Sequence, residues 1–359
     1  MLRVSDKYFL GSFVKTFLFA QVSFLIIFVV VDLVSQLDLF IDKQATIRSV
    51  ALYYFYFSPF FFGLVMPIAM LMASLFTTGQ FVRYGELTAM KAAGMSLYRI
   101  FLPVFIFSIF ISIFSFWLGE AITPEFQRKK MNIKRYVIEK ENPRYTLSNT
   151  NINLQDSQTR IVTIANYDAE KNIAYQISVQ EMNGNRIITL INAVTMIQFD
   201  EFWKLVNVKI RDFSSGEERF SEADNLIVDD FSFTTEDLKR IQIKPDEMNI
   251  VELKDYIEKL RNMGSPFGRW IVDLHQKIAF PFANFIVVLL GMPLATRSWR
   301  GGAAVGFGLS IFICFVYYVV MTLSISFGYK GSIHPVVAPW ISNTLFGLTG
   351  FVSLITAKK

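Results

Sequence analysis

Few side chains in this 359-residue chain have the types and spacing that catalysis requires. The histidines are His275 and His334, the one cysteine is Cys314, and neither an HExxH nor a GxSxG motif occurs. Zinc chemistry and His-dependent nucleophilic catalysis therefore have little to build on. Gly11–Thr16 (GSFVKT) resembles only a fragment of the phosphate-binding loop GxxxxGK(S/T), so we expect no ATP hydrolysis by that route. The residues predict no catalytic site, no bound metal and no bound cofactor.

One charged stretch, Arg83–Ile100 (RYGELTAMKAAGMSLYRI), is a candidate for contact with a partner, because it separates two long apolar segments. Tyr84–Ala93 consists of good helix formers. Glu86 lies at the start, where the helix dipole favours an acid, and Gly94 follows the end, where glycine commonly ends a helix. The pattern predicts a short amphipathic helix at a membrane surface, by which a cytoplasmic protein could move the neighbouring helices. An ordinary interhelical loop is the alternative.

Six long uncharged runs explain why 53% of the residues are hydrophobic. Five runs hold 19 to 34 residues, and the first holds 16 but lengthens if Lys15 extends its ammonium group to the membrane surface. About 18 apolar residues suffice to span a bilayer, so the sequence predicts six spanning helices, three on each side of a polar insert. The runs are Thr16–Val31, Ser49–Val82, Ile100–Gly119, Ile278–Thr296, Gly301–Tyr329 and Gly331–Ala357.

The basic residues predict the orientation of these helices. The short loops on one side hold only Lys43, Arg48 and Lys330, and the basic residues concentrate on the other side. By the positive-inside rule both termini are cytoplasmic and the insert lies outside. The net charge of +5 comes from the membrane part and indicates no nucleic-acid partner. The cytoplasmic basic residues are Arg3, Lys7, Lys15, Arg83, Lys91, Arg99, Arg297, Arg300, Lys358 and Lys359.

The insert has the two-residue period of β-strands. Apolar residues alternate with small or polar ones at Ile173, Tyr175, Ile177 and Val179, and again at Val206, Val208 and Ile210. Turn signals at 183–185 and 214–216 separate such strands, so we predict an antiparallel sandwich or open barrel of about 100 residues. Arg186–Phe199 is apolar on both faces. It is predicted to be a central strand, although a lipid chain or a partner strand could also cover one face.

The predicted domains follow from these patterns. Residues 1–124 hold the first three spanning helices and a surface helix at about 84–93. Residues 125–265 hold the β domain and a return helix at about 250–263, for which Asn249 and Glu252 form a capping box. Residues 266–359 hold the last three spanning helices.

Three segments carry a resemblance to a known family: GELTAMKAAGMSLYRI, HQKIAFPFANFIVVLLGMPLATR and PVVAPWISNTLFGLTG. They resemble the LptF/LptG (YjgP/YjgQ) lipopolysaccharide export permeases, and the likeness covers essentially the whole chain. Members of this family have three helices, a periplasmic β-jellyroll-like domain and three more helices. The resemblance implies a multi-pass protein of the bacterial inner membrane.

The resemblance also implies the partners and the substrate. A paired, related permease would form a heterodimer with this chain, and a cytoplasmic ABC ATPase dimer would use ATP and Mg. The complex would draw lipopolysaccharide from the outer leaflet of the inner membrane and pass it to periplasmic β-jellyroll bridge proteins. A membrane subunit that only couples an ATPase to a periplasmic partner, without moving lipid, is the alternative.

Several site residues are implied by the same resemblance. Glu86 would meet a basic residue of the ATPase, Leu87 and Met90 would fill an apolar groove there, and Lys91 and Gly94 complete the segment. The first and fifth spanning helices would form lateral gates, for which the glycines Gly302, Gly306 and Gly308 are the candidates; the GxxxG spacing of the first two permits close helix contact. Inward-facing strand residues would line the lipid path: Ile177, Val179 and Val208.

Headgroup recognition departs from the family pattern. Family members often carry basic residues near the outer end of the first helix, where this chain has Asp32 and Asp38. A solvated helix face is the alternative for the basic run that follows the third helix. The substitute candidates for binding lipid phosphates are Lys43, Arg48, Arg128, Lys129, Lys130, Lys277 and Lys330.

Overall fold

The structure is a computed structural model that describes residues 4–139, 148–157, 159–168, 171–183, 186–199, 202–214, 218–231, 233–235, 238, 245–262, 266–298 and 302–357. Its contacts divide the chain into two compact units. The membrane unit comprises Met1–Asp42, Val50–Lys130 and Gly268–Lys359, and the insert unit comprises Lys43–Ser49 and Met131–Phe267.

Among the described residues, six helical segments are long and apolar enough to cross a bilayer, as the sequence predicts. The helices before the insert are α1 (Val4–Ser35), α2 (Leu37–Asp42), α3 (Ile47–Arg83), α4 (Glu86–Ala92), α5 (Leu97–Ala121) and α6 (Thr123–Asn132). The helices after the sheet are α7 (Ile250–Asn262), α8 (Gly268–Ala279), α9 (Ala283–Ser298), α10 (Gly302–Tyr329) and α11 (Ile341–Thr356). A 3₁₀ turn, Phe280–Phe282, joins α8 and α9 into the fourth span.

Two glycines let the fourth span lie very close to its neighbours. A Cβ atom added to Gly291 of α9 would lie 2.1 Å from Ser74 Oγ of α3, and one added to Gly350 of α11 would lie 3.0 Å from the Leu290 backbone nitrogen. Small residues matter here because lipid is as apolar as the side chains, so close packing replaces the hydrophobic effect between helices. The apolar parts of α3 and of the fourth span are 61% buried, against 22% for α1 and α10.

The 3₁₀ turn in the fourth span is also the origin of a buried polar contact. The Ala283 N–H bonds within the turn, which leaves the Ala279 carbonyl, its partner in a regular α-helix, to another donor. Asn343 Nδ2 of α11 donates to this carbonyl at 2.7 Å, and Asn343 Oδ1 accepts from the Tyr317 hydroxyl of α10 at 2.7 Å. Because the bilayer core offers no water to these groups, Asn343 joins three spans through bonds that have no substitute in lipid.

Six strands of the insert pair antiparallel in chain order, which confirms the predicted antiparallel insert. β4 lies between two other strands, as predicted for Arg186–Phe199. The strands are β1 (Ser148–Gln155), β2 (Arg160–Asp168), β3 (Ile173–Asn183), β4 (Arg186–Phe199), β5 (Phe202–Asp212) and β6 (Arg219–Val228).

A kink in two strands changes which residues face the core of the insert. Gln176 in β3 and Asn207 in β5 have left-handed backbone, with φ of 53° and 54°. Both are skipped in the strand pairing, at the level of Val194 in β4. The pairing register is the same on both sides of this level, because Val194 is skipped opposite each of them, so the left-handed residues turn the strands without a β-bulge.

The strict alternation predicted for these strands is therefore wrong on one side of each kink. Ala174 and Leu205 are fully buried, whereas the predicted inward residues Ile173, Tyr175 and Val206 are only half-buried. The left-handed residue shifts the two-residue period by one position, so Ala174 and Ile177, three apart, share the inner face, as do Leu205 and Val208. Ile177, Val179 and Val208 lie on the other side of the kinks and face inward, as predicted.

The segment after β6 packs on the inner face of the sheet; its described residues, 229–231, 233–235 and 238, are called the strap. Phe233 and Leu238 belong to the same apolar core as the strands. Trp203 Nε1 donates to the Phe233 carbonyl at 3.1 Å, and the Thr235 N–H donates to Gln198 Oε1 at 2.8 Å. The strap is therefore fixed by backbone hydrogen bonds as well as by apolar burial.

Arg160 of β2 ties the start of the strap to the sheet. Its Nη2 donates to Asp230 at 2.7 Å and to Glu181 at 3.1 Å, its Nη1 donates to the buried Asp156 at 3.3 Å, and its guanidinium lies 5.6 Å from the Phe231 ring. The hydrogen bond from Arg160 lowers the pKa of Asp230 below its ordinary value. One guanidinium thus compensates three carboxylates.

The predicted capping box of the return helix is present. Asn249 Oδ1 accepts from the Glu252 N–H at 2.8 Å, and Glu252 Oε2 accepts from the Asn249 N–H at 3.0 Å. These bonds satisfy two backbone donors at the start of α7 that have no partner within the helix.

We expect Gly350→Ala to lower the unfolding midpoint of the protein in detergent, because the added methyl group meets the backbone of α9. Overpacking of this kind costs about 1–3 kcal/mol. Gly347→Ala is the matched control, since a Cβ there meets nothing within 4 Å. It should leave the midpoint unchanged or raise it, and equal losses for the two variants would contradict the close contact.

We expect Arg160→Gln to open the strap, because it removes the cation that pairs with Asp156, Glu181 and Asp230. The loss is about 2 kcal/mol of local stability at neutral pH, measurable by hydrogen exchange of the full chain. Since the ion pair lowers the pKa of Asp230, the difference from wild type is complete above the ordinary value of 3.8 and shrinks as the pH falls below it. Lys209→Gln removes an exposed pair with Glu222 and should change stability by less than about 1 kcal/mol.

Candidate functional site

The surface helix α4 is set off from its neighbours by two glycines in left-handed conformation. Gly85 precedes it with φ of 71°, and Gly94 follows it with φ of 84°. At its end the Met95 N–H bonds to the Met90 carbonyl and the Gly94 N–H bonds to the Lys91 carbonyl, at 3.1 and 2.9 Å, which is a Schellman ending. Glycine adopts this backbone without steric cost, so both bends are built in by the sequence.

The two faces of α4 differ in burial. Leu87 is 5% exposed and belongs to the core of the membrane unit, and Met90 packs against that core. Glu86 and Lys91 are half-buried, whereas Thr88 is exposed. The resemblance assigns Leu87 to an apolar groove of another protein. Its burial is at odds with that role, because the side chain already fastens α4 to its own helices.

Four of the seven candidate headgroup residues have partners inside the chain. Lys129 pairs with Glu125 at 2.6 Å, Lys130 lies 3.7 Å from the centroid of the Phe57 ring, and Lys277 lies 3.6 Å from Glu120. The hydrogen bond lowers the pKa of Glu125 and raises that of Lys129. Arg128 also has a partner. The remaining three, Lys43, Arg48 and Lys330, are exposed.

The helices predicted to form lateral gates expose the most apolar surface. Phe24 of α1 stacks on Phe307 of α10, with 6.4 Å between ring centroids and 2° between ring planes. Gly302 begins α10, Gly306 is buried, and a Cβ added to the exposed Gly308 would meet nothing within 4 Å. The glycine face at Gly308 thus leaves room for a surface outside this chain.

The predicted lipid-path residues share one apolar core. Ile177, Val179 and Val208 are each at most 2% exposed and cluster with Phe233 and Leu238 of the strap. Sequence reasoning located the inner face correctly at these positions but missed the strap that packs on it. The few apolar residues of the strap lie among charged and polar ones, so the sequence shows neither a helical nor a strand period there.

The comparisons with known proteins cover most of the chain. The family model described as lipopolysaccharide export system permease LptF/LptG matches residues 7–356. The chain belongs to the LptF/LptG family. It is also 22% identical over 261 residues to the lipopolysaccharide export system permease protein LptG of Escherichia coli strain K12, covering 71% of each chain. The LptG of Escherichia coli O6:H1 strain CFT073 matches equally.

Membership in this family confirms the predicted general function and cellular location of the chain. This LptF/LptG chain is a lipopolysaccharide export permease, a multi-pass protein of the inner membrane with an antiparallel sheet inserted between its third and fourth spans. No residue role follows from the family match alone. The assignments of Glu86, of the gate glycines and of the headgroup residues stay predictions.

Two polar contacts of this LptF/LptG chain escaped sequence analysis. Asp6 and Arg99 are 93 positions apart and form an ion pair at 2.7 Å, and Asn343 bonds to Ala279, 64 positions away. Asp6 reads as an ordinary acid in a first helical turn, which the helix dipole favours. Asn343 was a usable signal, because a polar amide within an apolar run needs a buried partner.

Proposed function

We propose that this chain is one of two paired permeases that a cytoplasmic ABC ATPase dimer drives to extract lipopolysaccharide. The lipid leaves the outer leaflet of the inner membrane and passes to periplasmic β-jellyroll bridge proteins. The observation that carries the proposal is the family match over residues 7–356. In this arrangement both termini and α4 are cytoplasmic, as the distribution of basic residues favours, and the sheet is periplasmic.

The geometry of α4 supports its role as the handle for the ATPase. Gly85 and Gly94 bend the chain at both ends, while Leu87 fixes the helix to the core. A force on the exposed side of α4 is therefore passed to α3 and α5 and is not absorbed by a flexible loop. Glu86 supplies a negative charge for a basic residue of the ATPase, while ATP and Mg are used by that partner.

The exposed helices support pairing with a second permease. α1 and α10 bury less of their apolar surface than the central spans do, and Gly308 leaves room for close contact. A lipid that enters between these helices and those of a related permease meets apolar walls on both sides. Squeezing this space lifts the lipid, which has to be driven because exposing acyl chains to water costs about 0.8 kcal/mol per methylene.

The inner face of the sheet supports a covered route for the acyl chains. Ile177, Val179 and Val208 form an apolar surface in the insert. In this conformation Phe233 and Leu238 occupy part of the same core, so an acyl chain must take the place of strap residues. Exchange of one apolar occupant for another keeps the lipid out of water throughout.

The filled core of the insert also favours a second candidate, a transducer that couples the ATPase to a periplasmic partner without moving lipid. In that case the strap never leaves and the sheet serves for docking only. The two candidates differ in one observable. The transducer hydrolyses ATP through its partner without any lipopolysaccharide leaving the membrane.

We expect Glu86→Arg to uncouple transport from ATP hydrolysis. The test uses vesicles that contain lipopolysaccharide, both permeases and the ATPase, and it measures lipid release and phosphate release together. Reversing the charge should lower lipid release about tenfold, within the 5–150-fold range typical of coupling between sites. Hydrolysis should continue, because the catalytic residues belong to the partner.

Glu86→Asp is the control for Glu86→Arg, since it keeps the negative charge at the same position of α4. Its lipid release should remain close to wild type. Normal release by Glu86→Arg would refute the proposed role of Glu86, and the absence of release from the wild-type complex would favour the transducer.

We expect the exposed basic residues to contribute to headgroup binding. Replacing Lys43 and Arg48 together with glutamate should weaken lipopolysaccharide binding, because each basic residue near an anionic surface contributes about 1 kcal/mol. Lys129→Gln should change binding little, since Lys129 is already paired with Glu125. Binding is measured in detergent at two salt concentrations. If only Lys129→Gln weakened binding, Lys129 and not Lys43 or Arg48 would contact the headgroup.

A further inference from the structure

An ion pair joins the start of α1 to the start of α5. Arg99 Nη2 donates to Asp6 Oδ2 at 2.7 Å, and the Asp6 side chain is 5% exposed. Arg99 lies in the first turn of α5, where its N–H is capped by the Ser96 side chain. Because α4 ends at Ala92, this turn is the first helical turn that follows it.

Aromatic contacts hold the same end of α1 on both sides of α4. Phe9 of α1 lies edge-on to Phe81 in the last turn of α3, with 4.8 Å between centroids and 86° between planes. It also stacks on Phe101 of α5 at 6.3 Å. α3, which precedes α4, and α5, which follows it, therefore both contact Phe9 of α1.

α1 is suited to carry a displacement along its length. It runs without a break for 32 residues and contains no proline, so it is about 48 Å long at 1.5 Å per residue. Its first half is held in the core by Phe13 and Phe17, whereas Val30 and Val34 in its second half are exposed. A movement of α1 near Asp6 is thus transmitted to the exposed second half of the helix.

We propose that the Asp6–Arg99 ion pair, together with the ring contacts of Phe9, is the joint through which movement of α4 reaches α1. The inference rests on the proposed function, in which α4 is the handle and α1 lines the lateral gate. Breaking the 2.7 Å bond between Arg99 and the buried Asp6 is costly, so α1 follows the first turn of α5 when α4 moves. Asp6 and Arg99 are positioning residues in this account, because neither contacts the lipid or ATP.

The test follows α1 directly. Spin labels at Val30 of α1 and Leu348 of α11, both exposed, report the distance between α1 and α11 with and without a nucleotide analogue. The same vesicles report ATP hydrolysis and lipopolysaccharide release. The variants are Asp6→Asn, the exchanged double variant Asp6→Arg with Arg99→Asp, and the control Lys7→Gln, which removes an exposed charge from the same turn.

With Asp6→Asn we expect ATP hydrolysis to continue, the nucleotide-dependent distance change to disappear, and lipid release to fall about tenfold. Lys7→Gln should behave as wild type. If Asp6→Asn retains the wild-type distance change, the joint is refuted. If Asp6→Asn fails to assemble, the exchanged variant decides: recovery of assembly and of α1 movement supports the joint, and recovery of assembly alone refutes it.

A parallel measurement on Glu86→Arg separates this proposal from the proposed function. When Glu86→Arg abolishes release but Asp6→Asn leaves α1 movement intact, only the joint is wrong. When Glu86→Arg transports normally, the role of α4 fails as well, and the joint has no movement to transmit.

Discussion

The structure of the membrane unit depends on one constraint: lipid supplies no hydrogen bonds, so buried polar groups must be satisfied within the protein. The fourth span shows how this is met. Its 3₁₀ turn leaves the Ala279 carbonyl without the donor of a regular α-helix. The Asn343 amide donates to this carbonyl, and Asn343 Oδ1 accepts from the Tyr317 hydroxyl. The close approach at Gly350 keeps α11 near enough for this bond. Packing and polar satisfaction therefore support each other in the same three helices.

α1 and α10 leave much of their apolar surface uncovered, although the Tyr317 hydroxyl ties α10 to Asn343 of α11. In the proposed complex these surfaces face lipid or the second permease. The contacts of Asp6 and Phe9 connect α1 to α3 and α5, the two helices on either side of α4.

The sequence was informative wherever local chemistry decides the outcome. Apolar runs predicted the six spans, and Asn249 with Glu252 predicted the start of α7. Strand alternation failed at Gln176 and Asn207, where left-handed backbone shifts the buried face by one position. Asn207 is of a type that adopts this backbone readily, but Gln176 is not, and the regular alternation around both favours an unbroken strand. Leu87 was assigned outward by resemblance, whereas the fold buries it. The contact of Asp6 with Arg99 was not predictable, since only the packing of α1 on α5 brings together residues 93 positions apart.

The central claim is that lipopolysaccharide travels along the inner face of the sheet, and crosslinking tests it most directly. A photoreactive residue at Val179, on the inner face, is compared with one at Val194, which is exposed, in vesicles that contain lipopolysaccharide and the complete complex. The account predicts lipopolysaccharide adducts from Val179 that require ATP and the ATPase, and none from Val194. Adducts with protein alone, unchanged by ATP, would contradict it and favour the docking role of the insert.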